Sequence, residues 1–306
     1  MTRVAVTGGA GRLGASVIDR LIYHGYDVVS FDRVTSDRVR SRQVTVDLLD
    51  EHATQAAFAA ERPDAVVHLA AIAVPGQLPD PEMYRINTQL VWSVLEATTA
   101  CGANRMLLAS SPTVLGYHAP AGWTPDYLPL DEDHPVAPWN GYSTSKVAME
   151  GIVRMAVRRG DALRLGIFRP CYVIAPEEWE GAPTQQGHTV NERLANPLLS
   201  AVALFNYVDA RDAGDFVATW ITKAHEIPNG ETFFVGAPDA LATQSTADAI
   251  RAHLPAFAEH ADSITAHQSM FSSERAERLL GWRASRLWRD NVREPDTTPE
   301  PQEALR

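Results

Sequence analysis

The sequence predicts an α/β fold with a doubly wound parallel sheet. Three observations carry the prediction. Short apolar runs alternate with segments of helical spacing through the first half of the chain. A glycine-rich turn stands between the first of these strands and the first helix. The chain has 306 residues, 45% of them hydrophobic, enough to bury the core of one large α/β domain or two small ones.

Taken in order, residues 4–7 form a short apolar strand. Residues 11–24 have helical spacing, with Leu13, Val17, Leu21 and Ile22 on one face. Residues 27–31 are the next strand, ending at Asp32, and 44–46 a third. Residues 51–60 are alanine-rich and helical, and 65–69 are a fourth strand after the turn signal Pro63-Asp64. A long helix over 82–101 precedes a fifth strand at 105–109. Six prolines between Pro112 and Asn140 break the pattern, so this stretch reads as a long, functional loop. A helix over 142–159 and a strand over 163–168 follow, and 170–197 reads as a second loop. Residues 207–209 and 232–235 read as strands, and 212–226, 246–253 and 273–280 as helices. Residues 291–306 hold three prolines and almost no apolar residues, so they read as a disordered tail.

Composition removes several function classes. The net charge of −11 argues against nucleic acid as a main partner, because phosphate binding needs a positive field. No apolar run approaches the roughly 20 residues of a membrane span. The first residues read as a strand rather than a leader segment. Cys101 and Cys171 make no disulfide framework and suit a reducing, cytoplasmic setting. No CxxC or HExxH spacing supports a metal site.

The glycine turn points to a dinucleotide. In residues 7–14, TGGAGRLG, Gly8 supplies a backbone angle that other residues resist. Gly11 lets a pyrophosphate approach the backbone, and Gly14 lets helix and strand pack closely. The helix N-terminus offers N–H groups and the positive end of its dipole. Asp32 ends the second strand, 18 residues beyond Gly14, placed to accept from a ribose 2′-hydroxyl. Its charge would repel a 2′-phosphate, so NAD is favoured over NADP; Arg33 is the residue that argues the other way. Tyr142 and Lys146 share a helix face, where an ammonium near a phenol favours the phenolate and fits the tyrosine for acid–base work.

On these residues the chain resembles the extended short-chain dehydrogenase/reductases of the NAD-dependent epimerase/dehydratase family. TGGAGRLG is similar to that family's TGxxGxxG fingerprint and YSTSK (142–146) to its YxxxK. Residues 109–116 resemble its SSxxVYG segment, 68–71 its HLAA, 207–212 its YVDVRD, and 273–282, with LGW, its last helix. The likeness covers roughly residues 3–290.

The resemblance implies a Rossmann-type sheet over residues 1–170, with 205–238 returning to it. It also implies a small mixed substrate-binding subdomain from 171–204 and 239–290. It makes Tyr142 the acid/base, Lys146 the residue that lowers its pKa and holds the nicotinamide ribose, and Ser111 the partner of the reacting oxygen. Arg12 and Leu13 fall within the phosphate turn, and Asp47 and Leu48 would flank the adenine. Leu69, Ala70 and Ala71 would line the cofactor trough, with Asn87 supporting them. Pro170 and Cys171 would approach the nicotinamide amide, Cys171 as a small packing residue rather than a nucleophile. A homodimer through the helices over 82–101 and 142–159 is implied as well, with Val91, Trp92, Val94, Leu95, Met149, Val153 and Met155 apolar enough to serve.

These features lead to an oxidoreductase moving hydride between nicotinamide and a secondary alcohol or carbonyl of a sugar-like small molecule. A 4,6-dehydratase would carry Asp-Glu where this chain has Pro112-Thr113. A nucleotide-sugar 4-epimerase that retains its NAD is the close alternative, although Tyr172 stands where such enzymes carry a substrate-binding Asn. Ser110, Ser111, Gly116 and Tyr117 also resemble the uronate dehydrogenase branch, for which Arg193 or Arg211 would hold a carboxylate. Tyr172 and Arg193 are thus the candidate substrate residues. A dinucleotide-binding regulator without catalysis is the remaining class. Trp123, Tyr127, Trp139 and Trp179 are candidates for ring stacking or plain loop packing, and residues 131–134, Asp-Glu-Asp-His, read as a solvated acidic turn.

Overall fold

The computed structural model describes residues 1–160 and 162–292. Residues 293–306, most of the expected tail, lie outside the described residues. β1 (Arg3–Thr7) leads into α1 (Arg12–Tyr23), followed by β2 (Asp27–Asp32), β3 (Arg42–Thr45), α2 (Glu51–Glu61), β4 (Ala65–His68), α3 (Asp80–Ala100) and β5 (Arg105–Ala109). A 3₁₀ turn at Pro112–Leu115 opens the proline-rich loop. Then come α4 (Gly141–Arg159), β6 (Arg164–Pro170), β7 (Val173–Ile174), α5 (Pro176–Trp179), α6 (Val190–Ala195) and α7 (Leu198–Ala201). β8 (Val208–Asp209), α8 (Ala210–Lys223), β9 (Thr232–Val235), α9 (Thr246–His253), a 3₁₀ stretch at Pro255–Ser263, α10 (Glu274–Leu280) and α11 (Trp288–Asn291) follow within the described residues.

Seven strands form one parallel sheet in the order β3-β2-β1-β4-β5-β6-β9. Side chains alternate between its faces, as the two-residue period of a strand requires. Val4, Val6, Val67 and Leu107 join one core with Val17, Ile18 and Leu21 of α1 and Phe216 and Val217 of α8. Ala5, Val66, Met106 and Leu108 join the other with Phe58 of α2, Val94 and Leu95 of α3 and Met149 and Val153 of α4. The chain runs outward from β1 to β3 and then returns to β4 on the far side of β1. That reversal opens a crevice beyond the carboxyl ends of β1 and β4. No helix among the described residues is long and apolar enough to cross a membrane.

Four expectations change. Residues 170–197 are not simply loop. β7 pairs with β8, and α6 starts at a capping box in which Thr189 and Glu192 serve each other's backbone N–H groups. Asn291 closes α11 rather than opening a tail, because Trp288 is fully buried and Val292 packs on the same cluster. The acidic turn is not solvated: the Glu132 carboxylate is buried and accepts from the N–H of Phe234 on the sheet's last strand. It thereby covers part of an exposed sheet edge. Of the apolar residues assigned to a dimer contact, Val91, Val94, Leu95, Met149 and Val153 are core, while Trp92 is 40% exposed.

Candidate active site

The residues singled out from the sequence converge on the carboxyl ends of the strands. Gly8 takes φ +73°, and a Cβ there would sit 2.8 Å from the backbone N of Ala70. A Cβ on Gly14 would lie 2.3 Å from the Gly8 carbonyl oxygen. β1, α1 and the segment after β4 therefore touch backbone to backbone, which only glycine permits. Gly9 is equally constrained, since its Cβ would meet Ser30 Oγ at 2.1 Å. The TGxxGxxG fingerprint leaves that position open. Gly11 caps α1 without a side-chain bond, leaving first-turn N–H groups for an anion.

A cavity of about 540 Å³ runs from this turn across the strand ends. Gly8, Gly11, Arg12, Leu13, Gly14, Asp32, Asp47, Leu48, Leu69, Ala70 and Ala71 line one end; Ser111, Tyr142, Lys146, Pro170, Cys171 and Tyr172 line the other. Asp32 accepts from the N–H groups of Ala10 (3.1 Å) and Arg33 (2.7 Å), so the acid also pins the glycine turn. The Arg12 guanidinium meets the buried carboxylate of Glu178, and burial holds its pKa below the usual value. A glycine cradle, an uncapped helix start and an acid at the end of β2 fit a dinucleotide with a free ribose diol.

Tyr142 and Lys146 are buried on the first turns of α4, which Asn140 starts by accepting from Ser143 N–H at 2.8 Å. Thr113 donates through Oγ1 to Ser111 Oγ at 2.9 Å, and Ser111 in turn bonds Tyr142. Burial raises the Tyr142 pKa, and the Ser111 bond pulls it back only in part. Burial lowers Lys146 to about 8; its ammonium donates to the Ala109 carbonyl at 3.1 Å and lies 5.7 Å from the Tyr142 ring centroid. The expected lowering of the Tyr142 pKa is thus outweighed by loss of water around the phenol.

A buried polar floor fixes this set. Ser110 donates to Glu150 at 2.7 Å, and Arg169 binds the same carboxylate through two bonds of 2.8 and 2.9 Å. Glu150 lies one turn beyond Lys146, so α4, β5 and β6 are tied together directly beneath the site. His68 at the end of β4 pairs with Thr7 (2.7 Å), and burial with the nearby Lys146 charge lowers its pKa to about 3, keeping it neutral.

Three predicted residues lie outside the cavity wall. Asn87 bonds Ile72 N–H (2.8 Å), Ile72 C=O (3.2 Å) and Ser145 Oγ (3.0 Å), so it holds the trough segment from behind. Arg193 is fully buried behind Tyr172 and Gln186. Arg211 is bound by Asp209 at 2.6 and 2.9 Å. None of the four candidate stacking aromatics borders the cavity: Trp123 packs on Phe257 and His134, Tyr127 on His134, Trp179 on Tyr207, and Trp139 donates to the Tyr117 carbonyl. Cys171 is buried against Gly236, with its pKa driven up, as befits a packing residue. The lining residues that sequence reasoning missed include Thr113 as a contributor, Val173, Gln185, Gln186, Val202, Ala203 and Asn206. Apart from Thr113, which lies in the 109–116 segment, they come from loops, short turns and the two-residue β7 and belong to no motif.

Comparison with known proteins agrees with this geometry. The profile of the NAD dependent epimerase/dehydratase family matches residues 4–236. The UDP-glucose 4-epimerase of Lacticaseibacillus casei is 34% identical over 160 residues, covering 50% of this chain and 46% of that protein. The chain spans about half the length of the curated relatives it matches. The UDP-glucose-4-epimerase of Stenotrophomonas maltophila, solved with bound NAD and formylated UDP-arabinopyranose, superposes with a TM-score of 0.73 at 18% identity over 96% of both chains. A short-chain dehydrogenase/reductase superfamily protein from Agrobacterium tumefaciens with bound NAD gives 0.68 at 23% identity over 94% of both. At these identities the structural likeness is one of fold.

Proposed function

The chain belongs to the NAD dependent epimerase/dehydratase family, and on that premise we propose that it binds NAD in the crevice and catalyses reversible oxidation of a secondary alcohol on a sugar-like substrate. One observation carries the reading: the Ser111–Tyr142–Lys146 set and the glycine turn line one continuous cavity. NAD, when bound, supplies the hydride acceptor. Tyr142 takes the proton of the substrate hydroxyl and returns it to the carbonyl oxygen. Ser111, ordered by Thr113, holds that oxygen. Burial favours the protonated phenol, so the resting tyrosine is poised to give a proton, and the Lys146 charge helps it to take one. Gly8, Gly11, Arg12, Leu13 and Gly14 hold the cofactor phosphates, Asp32 the adenosine ribose, and Asp47 and Leu48 the adenine. Leu69, Ala70 and Ala71 line the trough with Asn87 behind them, and Pro170 and Cys171 meet the nicotinamide.

In this reading residues 1–170 and 205–238 carry the cofactor and 171–204 shape the substrate end. The proposed substrate subdomain over 239–290 supports that end indirectly. None of its residues borders the cavity; Phe257 instead packs under Trp123. A homodimer through α3 and α4 accompanies the proposal, and sizing of the purified protein tests it.

Within this chemistry we favour 4-epimerisation of a nucleotide sugar over net oxidation, the reverse of the emphasis the sequence alone suggests. The support is the identity of the matched relatives, UDP-glucose 4-epimerases. Net dehydrogenation is the second reading, because the substrate end carries no charged side chain except Lys146 to meet a diphosphate. Incubation with NAD and UDP-glucose separates them. The epimer without net NADH is expected; NADH released from a sugar or sugar acid, with no epimer formed, would replace the first reading by the second. Tyr142→Phe should cut turnover by about 10²–10⁴ while NAD binding persists. Full turnover in that variant would remove the catalytic assignment.

A further inference from the structure

Among the described residues, Arg193 is a buried cation without a counter-charge. It is 1% exposed, and no described carboxylate lies within ion-pair distance of it. Its guanidinium donates to four neutral acceptors: Thr184 Oγ1 (3.1 Å), the Leu199 carbonyl (2.6 Å), Tyr172 Oη (2.9 Å) and Gln186 Oε1 (2.5 Å). Such a charge is costly to bury and is normally met by an anion.

The residues in front of it are turned into donors. Tyr172 accepts from Arg193, so its own hydroxyl hydrogen is left to give. Gln186, itself exposed, spends its carbonyl oxygen on Arg193, which leaves its amide NH₂ free to donate toward the cavity. Asn206 accepts from the N–H of Tyr172 at 2.8 Å, which fixes its amide orientation, and its Nδ2 is buried with no hydrogen-bond partner among the described residues. All three residues border the cavity. Three donors with their acceptor halves already used stand before one uncompensated positive charge.

We infer that Tyr172, Gln186 and Asn206, backed by Arg193, form an anion-binding wall that seats one anionic oxygen group, carboxylate or phosphate, of a bound small molecule. Neutral donors make the contact and the buried guanidinium supplies the field, as oriented dipoles do at other anion sites. The inference rests on the cavity being the cofactor and substrate site. Two molecules can bring the group: the cofactor through its diphosphate, or the substrate through a carboxylate or phosphate. Arg12 at the glycine turn is within electrostatic reach of the Tyr172 phenol, which keeps the cofactor in play.

The experiment uses two variants of the full chain and reads binding. Gln186→Glu keeps the acceptor for Arg193, supplies the missing counter-charge and removes the donor. Asn206→Asp keeps the bond to Tyr172 N–H and replaces the orphan donor with a carboxylate. Affinities are measured for NADH on the apoprotein, and for UDP-glucose, glucuronate and glucose on protein saturated with NAD. About tenfold or greater weakening of NADH in both variants identifies the cofactor diphosphate as the occupant. The same loss for UDP-glucose or glucuronate, with NADH and glucose unchanged, identifies the substrate. Gln186 is exposed, so Gln186→Glu should fold and should also raise the melting temperature. A merely structural Arg193 gives that stabilisation with every affinity within twofold, and this outcome overturns the inference. A wild-type protein that binds none of the three anions at millimolar concentration overturns it as well. Because no arm needs turnover, loss of the proposed reaction is scored separately through Tyr142→Phe.

Discussion

The two ends of the cavity are built by different means. The end at the glycine turn is held by backbone against backbone: Gly8 against Ala70, Gly14 against Gly8 and Gly9. The end beyond Tyr142 is held by side chains of loops and short turns, gathered around Arg193, Asn206 and the buried floor of Glu150 and Arg169. Backbone contact admits few residue types and so leaves a spaced pattern in the sequence. Side-chain networks admit many solutions and leave none. In the proposed function, the first end takes a cofactor shared by a whole family, and the second takes the substrate that distinguishes this chain.

The sharpest way to break that contrast is Gly14→Ala. The added methyl would stand 2.3 Å from one backbone oxygen and 2.7 Å from Gly9 Cα, neither of which can swing away. A cost of about 3 kcal/mol is expected, with dinucleotide binding lost, since α1 must lift from the turn. Denaturant melts and NADH titration measure both. A variant that binds NADH normally would show that the glycine end adapts as readily as the loops.

The contrast also explains what was legible. Glycine spacing, Asp32 at the end of β2, and the Tyr142–Lys146 pair each follow from a short-range rule of strand ends or helix faces, and the structure gathers them in one cavity. Asn206 is invisible by such rules. Its place depends on Tyr172, 34 residues away, and on the pairing of β8, which the sequence shows as a strand, with the two-residue β7, which it does not. Arg193 stands in the sequence as a candidate for holding a carboxylate, with no sign that its guanidinium is buried behind Tyr172 and Gln186. Glu132 is similar: in sequence it belongs to an acidic run, but a hydrogen bond to a strand 102 residues on draws it inside.

Glu132 gives the second prediction, of intermediate size. Burial raises its pKa from 4.5 to about 6, against the pull of Phe234 N–H and Arg275. A carboxyl whose folded pKa is raised contributes stability below its unfolded pKa and loses it as pH rises through the folded value. Wild type should therefore lose about 2 kcal/mol relative to Glu132→Gln between about pH 4.5 and 6.5. Glutamine can still accept from Phe234 N–H, so the variant should fold. Parallel stability profiles across that range would mean that Arg275, 3.4 Å away, compensates the charge fully.

The smallest expected effect tests whether the two ends act independently. Segment α5 belongs to the loop side yet reaches back to the glycine side, where Glu178 meets Arg12 and Glu177 meets Arg38 at 2.5 Å. The Arg38–Glu177 pair is exposed on both sides, 49% and 43%, and such pairs contribute about 0–1 kcal/mol. Glu177→Ala should accordingly change stability by less than about 1 kcal/mol and NADH affinity by less than about threefold. The second number is the informative one. A tenfold change in NADH affinity would mean that this strap, rather than the glycine cradle alone, sets how long cofactor stays. The glycine end would then owe part of its function to a loop contact that its motif does not encode.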